Sequence, residues 1–181
     1  MRLSLPPAAC IRIAVTARAP HRARLRFGPH HARCAIGEAG VTHDKKEGDK
    51  KTPLGQFALR RIWYRPDRVS VPQTALPIRE ISRKSGWCDA PDHSAYNRPV
   101  RRPFAASHER LWRRDGLYDL LIELGINDAP VKPGCGSALF LHLQKTPFQP
   151  TLGCVAVGRD TMAFLVAHAH LGTKIEIVES G

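Results

Sequence analysis

Two residues in the last third of the chain carry the types and spacing that nucleophilic chemistry needs. Cys154 lies in Thr151-Leu152-Gly153-Cys154-Val155. A glycine just before a cysteine lets the backbone bend sharply and approach a ligand closely. Amide N–H groups at such a turn, here those of Gly153 and Cys154, can converge on one point and hold a developing oxyanion. A thiol near neutral pH needs a neighbouring base to become a nucleophile. His142 closes the apolar run Ser137-Ala138-Leu139-Phe140-Leu141-His142-Leu143, twelve residues upstream. Twelve residues suffice to leave one strand, turn and enter the next, so the two side chains can meet on one sheet face. The same spacing also fits a buried core cysteine and an unrelated histidine.

Other candidate chemistry is weaker. His168 and His170 are two apart, which on a helix turns them to different faces; interaction with a helix C-terminus explains them better than a metal. His30-His31-x-x-Cys34 lacks a second half with ligand spacing, so no metal site is expected. There is no phosphate-binding glycine loop, no dinucleotide fingerprint and no Gly-x-Ser-x-Gly elbow, so no cofactor is expected either.

These residues sit in a chain of 181 residues with 28 Lys+Arg against 16 Asp+Glu, a formal charge of +12. Length and a hydrophobic share of 43% fit one globular domain. No stretch approaches a membrane span. Arginines recur along the chain, at Arg22, Arg24 and Arg26 and again through residues 60–114. A basic surface favours an acidic substrate or a polyanion; with no zinc-finger pattern and no RNP-type aromatic motif, nucleic acid is not the expected partner. Five cysteines leave at least one thiol unpaired within the chain.

The elements that would position the pair are mostly strands. Ile11–Ala17, Arg22–Phe27 and Ala32–Ile36 alternate or read as short strands, and Phe57–Tyr64, Leu117–Leu124, Ser137–Leu143, Cys154–Val157 and Lys174–Val178 extend the series. Asp160 is placed to cap a helix running to about His170, with Gly172 as its stop. A second short helix is expected over Ser107–Asp115, with Ser107 as cap and Glu109 in its first turn. Six prolines between Arg65 and Pro103 exclude long regular elements and mark a Pro/Arg-rich insertion around 65–103. The class is mainly β with one or two short helices, organised as an N-terminal tail (1–10) and one domain (11–178).

With these residues assembled, the chain resembles the L,D-transpeptidase catalytic domain family, the YkuD-like domains. The resemblance rests on three segments in order. They are Lys46 to Phe57, with its Thr52-Pro53-Leu54-Gly55-Gln56-Phe57; Gly136 to His142; and Thr151-Leu152-Gly153-Cys154-Val155. Gly86-Trp87-Cys88-Asp89 and Tyr96-Asn97 resemble a branch with a longer middle loop. The resemblance implies a β-sandwich-like fold and acyl transfer on peptidoglycan stem peptides. Cys154 would attack the carbonyl before a D-alanine, and His142 would act as the base, oriented by a backbone carbonyl. A second stem-peptide amine would then take the acyl group, giving a 3→3 cross-link, or water would hydrolyse it. A non-catalytic module for anionic polymers is the remaining alternative.

The resemblance also sets expectations for the rest. Trp87, Tyr96 and Asn97 are candidate substrate-binding residues of a lid, or else members of a small satellite core. Cys34 and Cys88 are a candidate disulfide in an oxidising compartment. The family implies the cell envelope, although Met1–Cys10 reads as no clear export leader. Two departures stand out: Leu152 replaces the histidine that usually precedes the Gly-Cys pair, and Val155-Ala156-Val157 replaces the usual Arg or Asn after it. Substrate carboxylates would then be held by arginines elsewhere, with the 65–103 segment the expected source.

Overall fold

The computed structural model describes residues 10–16, 19–144 and 149–179; of the expected 1–10 tail, all but Cys10 lies outside the described residues. In chain order the strands are β1 (Cys10–Val15), β2 (Arg22–Phe27), β3 (His30–Ala35), β4 (Val41–Thr42), β5 (Thr52–Pro53), β6 (Gly55–Tyr64) and β7 (Ile78–Glu80). They continue as β8 (Ser85–Cys88), β9 (Pro99–Arg101), β10 (His108–Arg110), β11 (Leu120–Leu124), β12 (Phe140–Leu143) and β13 (Val155–Val157). Helix α1 (Arg159–His168) and β14 (Lys174–Val178) close the sequence. The fold is mainly β, with one helix among the described residues.

Period-two alternation drives the main sheet. In β2 the arginines are exposed while Ala23, Leu25 and Phe27 are buried, and the two residues Gly28-Pro29 turn the chain directly into β3. β11 pairs with β12 on one side and with β6 on the other. The strands β6–β11–β12–β13–β3–β2–β1–β14 therefore return to β6, and β7 hangs from that ring. Inward side chains from all eight ring strands form one largely aliphatic core, which Met162, Leu165 and Val166 of α1 complete. On the bookkeeping value of ~25 cal/mol per Å² of apolar surface removed from water, this burial is the principal force for folding.

A second, aromatic core lies outside the ring. Trp63, Trp87, Tyr118 and Phe140 pack with Ile81, Leu111 and Leu121. Its cover is a small antiparallel sheet in the order β10-β8-β9. This corrects two expectations. The 65–103 segment is not a long irregular loop: it contributes β7, β8 and β9. Ser107–Asp115 is not a helix: His108–Arg110 pairs with β8 in the register His108↔Cys88, and Leu111 is driven into the aromatic core. Ser107 had no Glu or Gln three residues on to complete a capping box, so strand pairing wins.

The helix forms where expected, but Gly158 occupies its cap with no side-chain hydrogen bond and Asp160 falls in the first turn. All five cysteines are free. The Cys34–Cys88 disulfide is not formed because Cys34 belongs to the inner core on β3, whereas Cys88 sits on β8 of the outer sheet.

Candidate active site

The register of β12, β13 and β3 decides where the functional side chains point. β12 and β13 are parallel, with Leu141↔Val155 and His142↔Ala156. Leu141 and Val155 face the aliphatic core. Alternation then turns Phe140, His142, Cys154 and Ala156 to the opposite, outward face. There His142, Ala156 and Cys154 line one cleft of about 420 Å³, together with Glu47, Glu109, Arg113 and Tyr118.

The Cys154 loop is held by hydroxyl groups. Thr151 Oγ1 donates to Cys154 O (2.6 Å) and accepts from Gly153 N–H (3.1 Å). Thr52 Oγ1 donates to Gly153 O (2.9 Å) and accepts from Gly37 N–H (2.8 Å). Thr52, 1% exposed, thus ties the Thr-Pro segment to the cysteine loop. Gly153 has φ 133°, and a Cβ there would lie 2.9 Å from Lys51 O, so only glycine fits. The Gly153 N–H is committed to Thr151; of the two amides named as oxyanion donors, it is therefore not free in this structure.

The sulfur lies between backbone groups of the preceding strand. Phe140 N–H donates to Sγ and Sγ–H donates to Ala138 O, each at 3.3 Å. Burial pushes the thiol pKa up to about 12. His142 Nδ1 lies 2.7 Å from Leu143 O. A carbonyl only accepts, so Nδ1 carries the proton and Nε2 keeps its lone pair. Burial pushes the imidazole pKa down to about 4, so the resting pair is a neutral thiol and a neutral imidazole. The two share the cleft but not a hydrogen bond: among the described residues the sulfur bonds to the backbone of Phe140 and Ala138.

Tyr118 fills the space beside them, its ring edge-on to His142 at 5.3 Å between centroids. Arg113 lies over the Tyr118 ring at 5.0 Å and pairs with Glu109 (2.8 Å) and Asp115 (2.6 Å). Lys50 and Arg113 are the lysine and arginine among the described lining residues, which moves the cleft cations away from the 65–103 segment expected to supply them. Only Asp89 of that segment lines the cleft. Sequence reasoning missed Tyr118, Arg113 and Glu109; the signal that was present is the aromatic-flanked run Trp112 to Tyr118 just before a buried strand. Leu152, at the position where a histidine is usual, is 75% exposed at the cleft rim.

Trp87, Tyr96 and Asn97 are buried, at 5%, 3% and 4% exposure, and none lines the cleft. Trp87 packs edge-on against Phe140 at 5.0 Å. Asn97 Oδ1 accepts from Trp87 Nε1 (2.8 Å) and from Ala138 N–H (3.1 Å). Tyr96 donates its hydroxyl to Glu47, which also accepts from Ser137 Oγ at 2.7 Å. Ala138, whose carbonyl accepts the hydrogen bond from the thiol, is held at φ 50°, a left-handed conformation that alanine rarely adopts. β12 starts at Phe140 rather than Ser137 for that reason. No group of three or more His, Cys, Asp or Glu residues able to hold a metal occurs among the described residues.

A mainly β fold with a cysteine and a histidine on one outward face defines a candidate acyl-transfer enzyme. The family model of the L,D-transpeptidase catalytic domain, YkuD, matches residues 21–177, and the chain belongs to that family. Among solved structures it is similar to L,D-transpeptidase 1 of Mycobacterium tuberculosis, with 11% identity and a TM-score of 0.38. The alignment covers 95% of this chain and 62% of that one, so the chain spans less than two thirds of that protein. No curated protein matches it in sequence.

Proposed function

We propose that the chain transfers acyl groups of peptidoglycan stem peptides through a thioester on Cys154. The observation that carries this reading is the strand register that puts His142 and Cys154 on one outward face of one cleft. Nε2 of His142 takes the thiol proton as Sγ attacks the carbonyl before the terminal D-alanine. The S–C bond forms, the C–N bond to D-alanine breaks, and the same proton passes to the leaving amine. An amine of a second stem peptide then attacks the thioester and regenerates the thiol. Because both groups rest neutral, no ion pair precedes attack, and the proton moves to Nε2 as the S–C bond forms. The amide of Cys154 is the retained oxyanion donor. Such work places the protein in the cell envelope.

Trp87, Tyr96 and Asn97 act in this reading through the backbone that cradles the sulfur, not by touching substrate. Arg113, despite its two carboxylate partners, is the cleft arginine that can receive a substrate carboxylate.

The test is release of D-alanine from a tetrapeptide substrate, with and without an amine acceptor. Cys154→Ala is expected to abolish release while the circular dichroism spectrum is unchanged, and a carbapenem is expected to add covalently to the native protein but not to the variant. Release that persists in the variant overturns the reading. Free tripeptide as sole product, whatever the acceptor, would make the enzyme a carboxypeptidase.

A further inference from the structure

The outward face of β1, β2, β3 and β14 carries an array of cations that the chemistry in the cleft does not use. Alternation projects Arg12, Arg22, Arg24, Arg26, Arg33 and Lys174 from it, all exposed. The register sets like charges directly opposite one another: Arg12↔Arg26 and Arg24↔Arg33. Such cross-strand pairs are destabilising. The one carboxylate these strands add to that face is Glu176, 3.3 Å from Arg12. Arg22, Arg24 and Arg26 make no ion pair among the described residues. Side chains two apart on a strand are separated by roughly 6.7 Å and neighbouring strands by roughly 4.8 Å, so the outside of the ring carries a regular grid of positive charge here.

The grid adjoins the cleft. Gln144 lines the cleft and also a shallow depression with Gly158, Arg159, Asp160 and Arg33. Arg33 stands opposite Arg24, so the depression leads from the site onto the grid. These strands add no Phe, Tyr or Trp to the face, and hence no platform on which nucleic-acid bases would stack. A charge grid without such a platform fits a polymer that presents carboxylates at intervals.

We propose that this arginine face is a second binding surface for polymeric peptidoglycan, engaging stem-peptide carboxylates of the strand whose neighbour lies in the cleft. The inference rests on the acyl-transfer reading for its choice of polymer. Two weak sites on one polymer raise the effective concentration of substrate at the cleft.

The experiment compares sedimentation of the full chain with purified sacculi for the native protein, R22Q/R24Q/R26Q and a control, R79Q/K84Q/R101Q. The control removes three charges from a separate groove between β7 and β9. The arginine-face variant is expected to lose about tenfold in affinity, the control much less, and sacculi with amidated carboxylates are expected to bind the native protein as weakly as the variant. Turnover of a soluble tetrapeptide is expected to be equal in all three proteins. Native-like sedimentation by the arginine-face variant overturns the inference, as does an equal loss in the control. Loss of binding to anionic vesicles or single-stranded DNA with sacculus binding intact also overturns it. A native protein that binds sacculi through this face but never releases D-alanine would leave the surface standing and remove the acyl-transfer reading.

Discussion

The two cores of this molecule are built from different side chains and do different work. The inner one is largely Ile, Leu, Val and Ala, enclosed by the ring of strands. The outer one is aromatic, and its members carry polar ends: Trp63 Nε1 donates to Glu123 at 2.7 Å and Trp87 Nε1 to Asn97 at 2.8 Å. Aliphatic side chains fill volume without direction. Indole and phenol rings fill volume and also fix a hydrogen bond at a defined point. Cys154 and Ala138 pack against the outer core, and Tyr118 lies against His142. The inner core holds the sheet together; the outer one aims the site.

The sharpest way to break that division is at its most functional point. His142→Gln keeps a polar side chain of similar reach but removes the imidazole proposed as the base. D-Alanine release is expected to fall about 10²- to 10⁴-fold, with near-native secondary structure. Activity within a few-fold of native would mean that the outward face merely packs, and the distinction between the cores would lose its functional half.

Leu25→Ala is the matching probe of the inner core. Leu25 is 1% exposed, surrounded by the aliphatic cluster. Truncation is expected to cost about 2–5 kcal/mol in a denaturant melt. Turnover per folded molecule should be unchanged. A kinetic defect at full folding would show that the inner core also sets the geometry of the site.

The division also explains what could be read from the chain. β2 and β14 have the residue bounds their alternation predicts, because one face of each is buried in a single aliphatic core and the other is wet. Local spacing made Cys154 and His142 candidates without excluding a core cysteine and an unrelated histidine, and the family resemblance singled them out. The outer core was not. Its cover comes from Ser85–Cys88, Pro99–Arg101 and His108–Arg110, each too short to show a period. Prolines and arginines dominate that segment, and the order comes from long-range contacts such as Arg65 stacked 3.5 Å over Trp112. Glu109 stands on that cover, and Arg113 and Tyr118 follow it in the chain to line the cleft.

The titration of His142 distinguishes the two regions by pH. Its imidazole rests neutral, with a pKa of about 4 in the fold against an ordinary 6.5. The unfolded chain therefore binds a proton between these values that the folded chain refuses. Stability from this group is complete above pH 6.5 and declines as pH falls to about 4, by about 3 kcal/mol in total. Urea melts from pH 7 to 4 should show that loss in the native protein and in Leu25→Ala. In His142→Gln the pH dependence should be shallower by the same amount. Equal slopes in native protein and His142→Gln would mean that the imidazole is solvated and the outer core open.

The finest probe is Asn97, where the two accounts of the middle segment diverge. Its side chain makes four bonds: Oδ1 accepts from Trp87 Nε1 and Ala138 N–H, and Nδ2 donates to Ile126 O at 3.1 Å and Asn127 O at 2.7 Å. Asn97→Ala leaves two buried donors unmet, at a cost of about 1–3 kcal/mol for each unsatisfied group. Ala138 then loses the bond that helps hold its left-handed conformation, and its carbonyl no longer fixes the Cys154 sulfur. A residue that positions the nucleophile should lower kcat by about tenfold with KM unchanged. A residue that grips substrate should raise KM and spare kcat. Asn97→Asp separates the accounts further: it keeps the acceptor for Trp87 and Ala138 but turns an oxygen toward the Ile126 and Asn127 carbonyls. It should therefore recover part of kcat while remaining less stable than the native protein. If KM alone moves in both variants, Asn97 reaches the substrate, and the outer core does more than aim the sulfur.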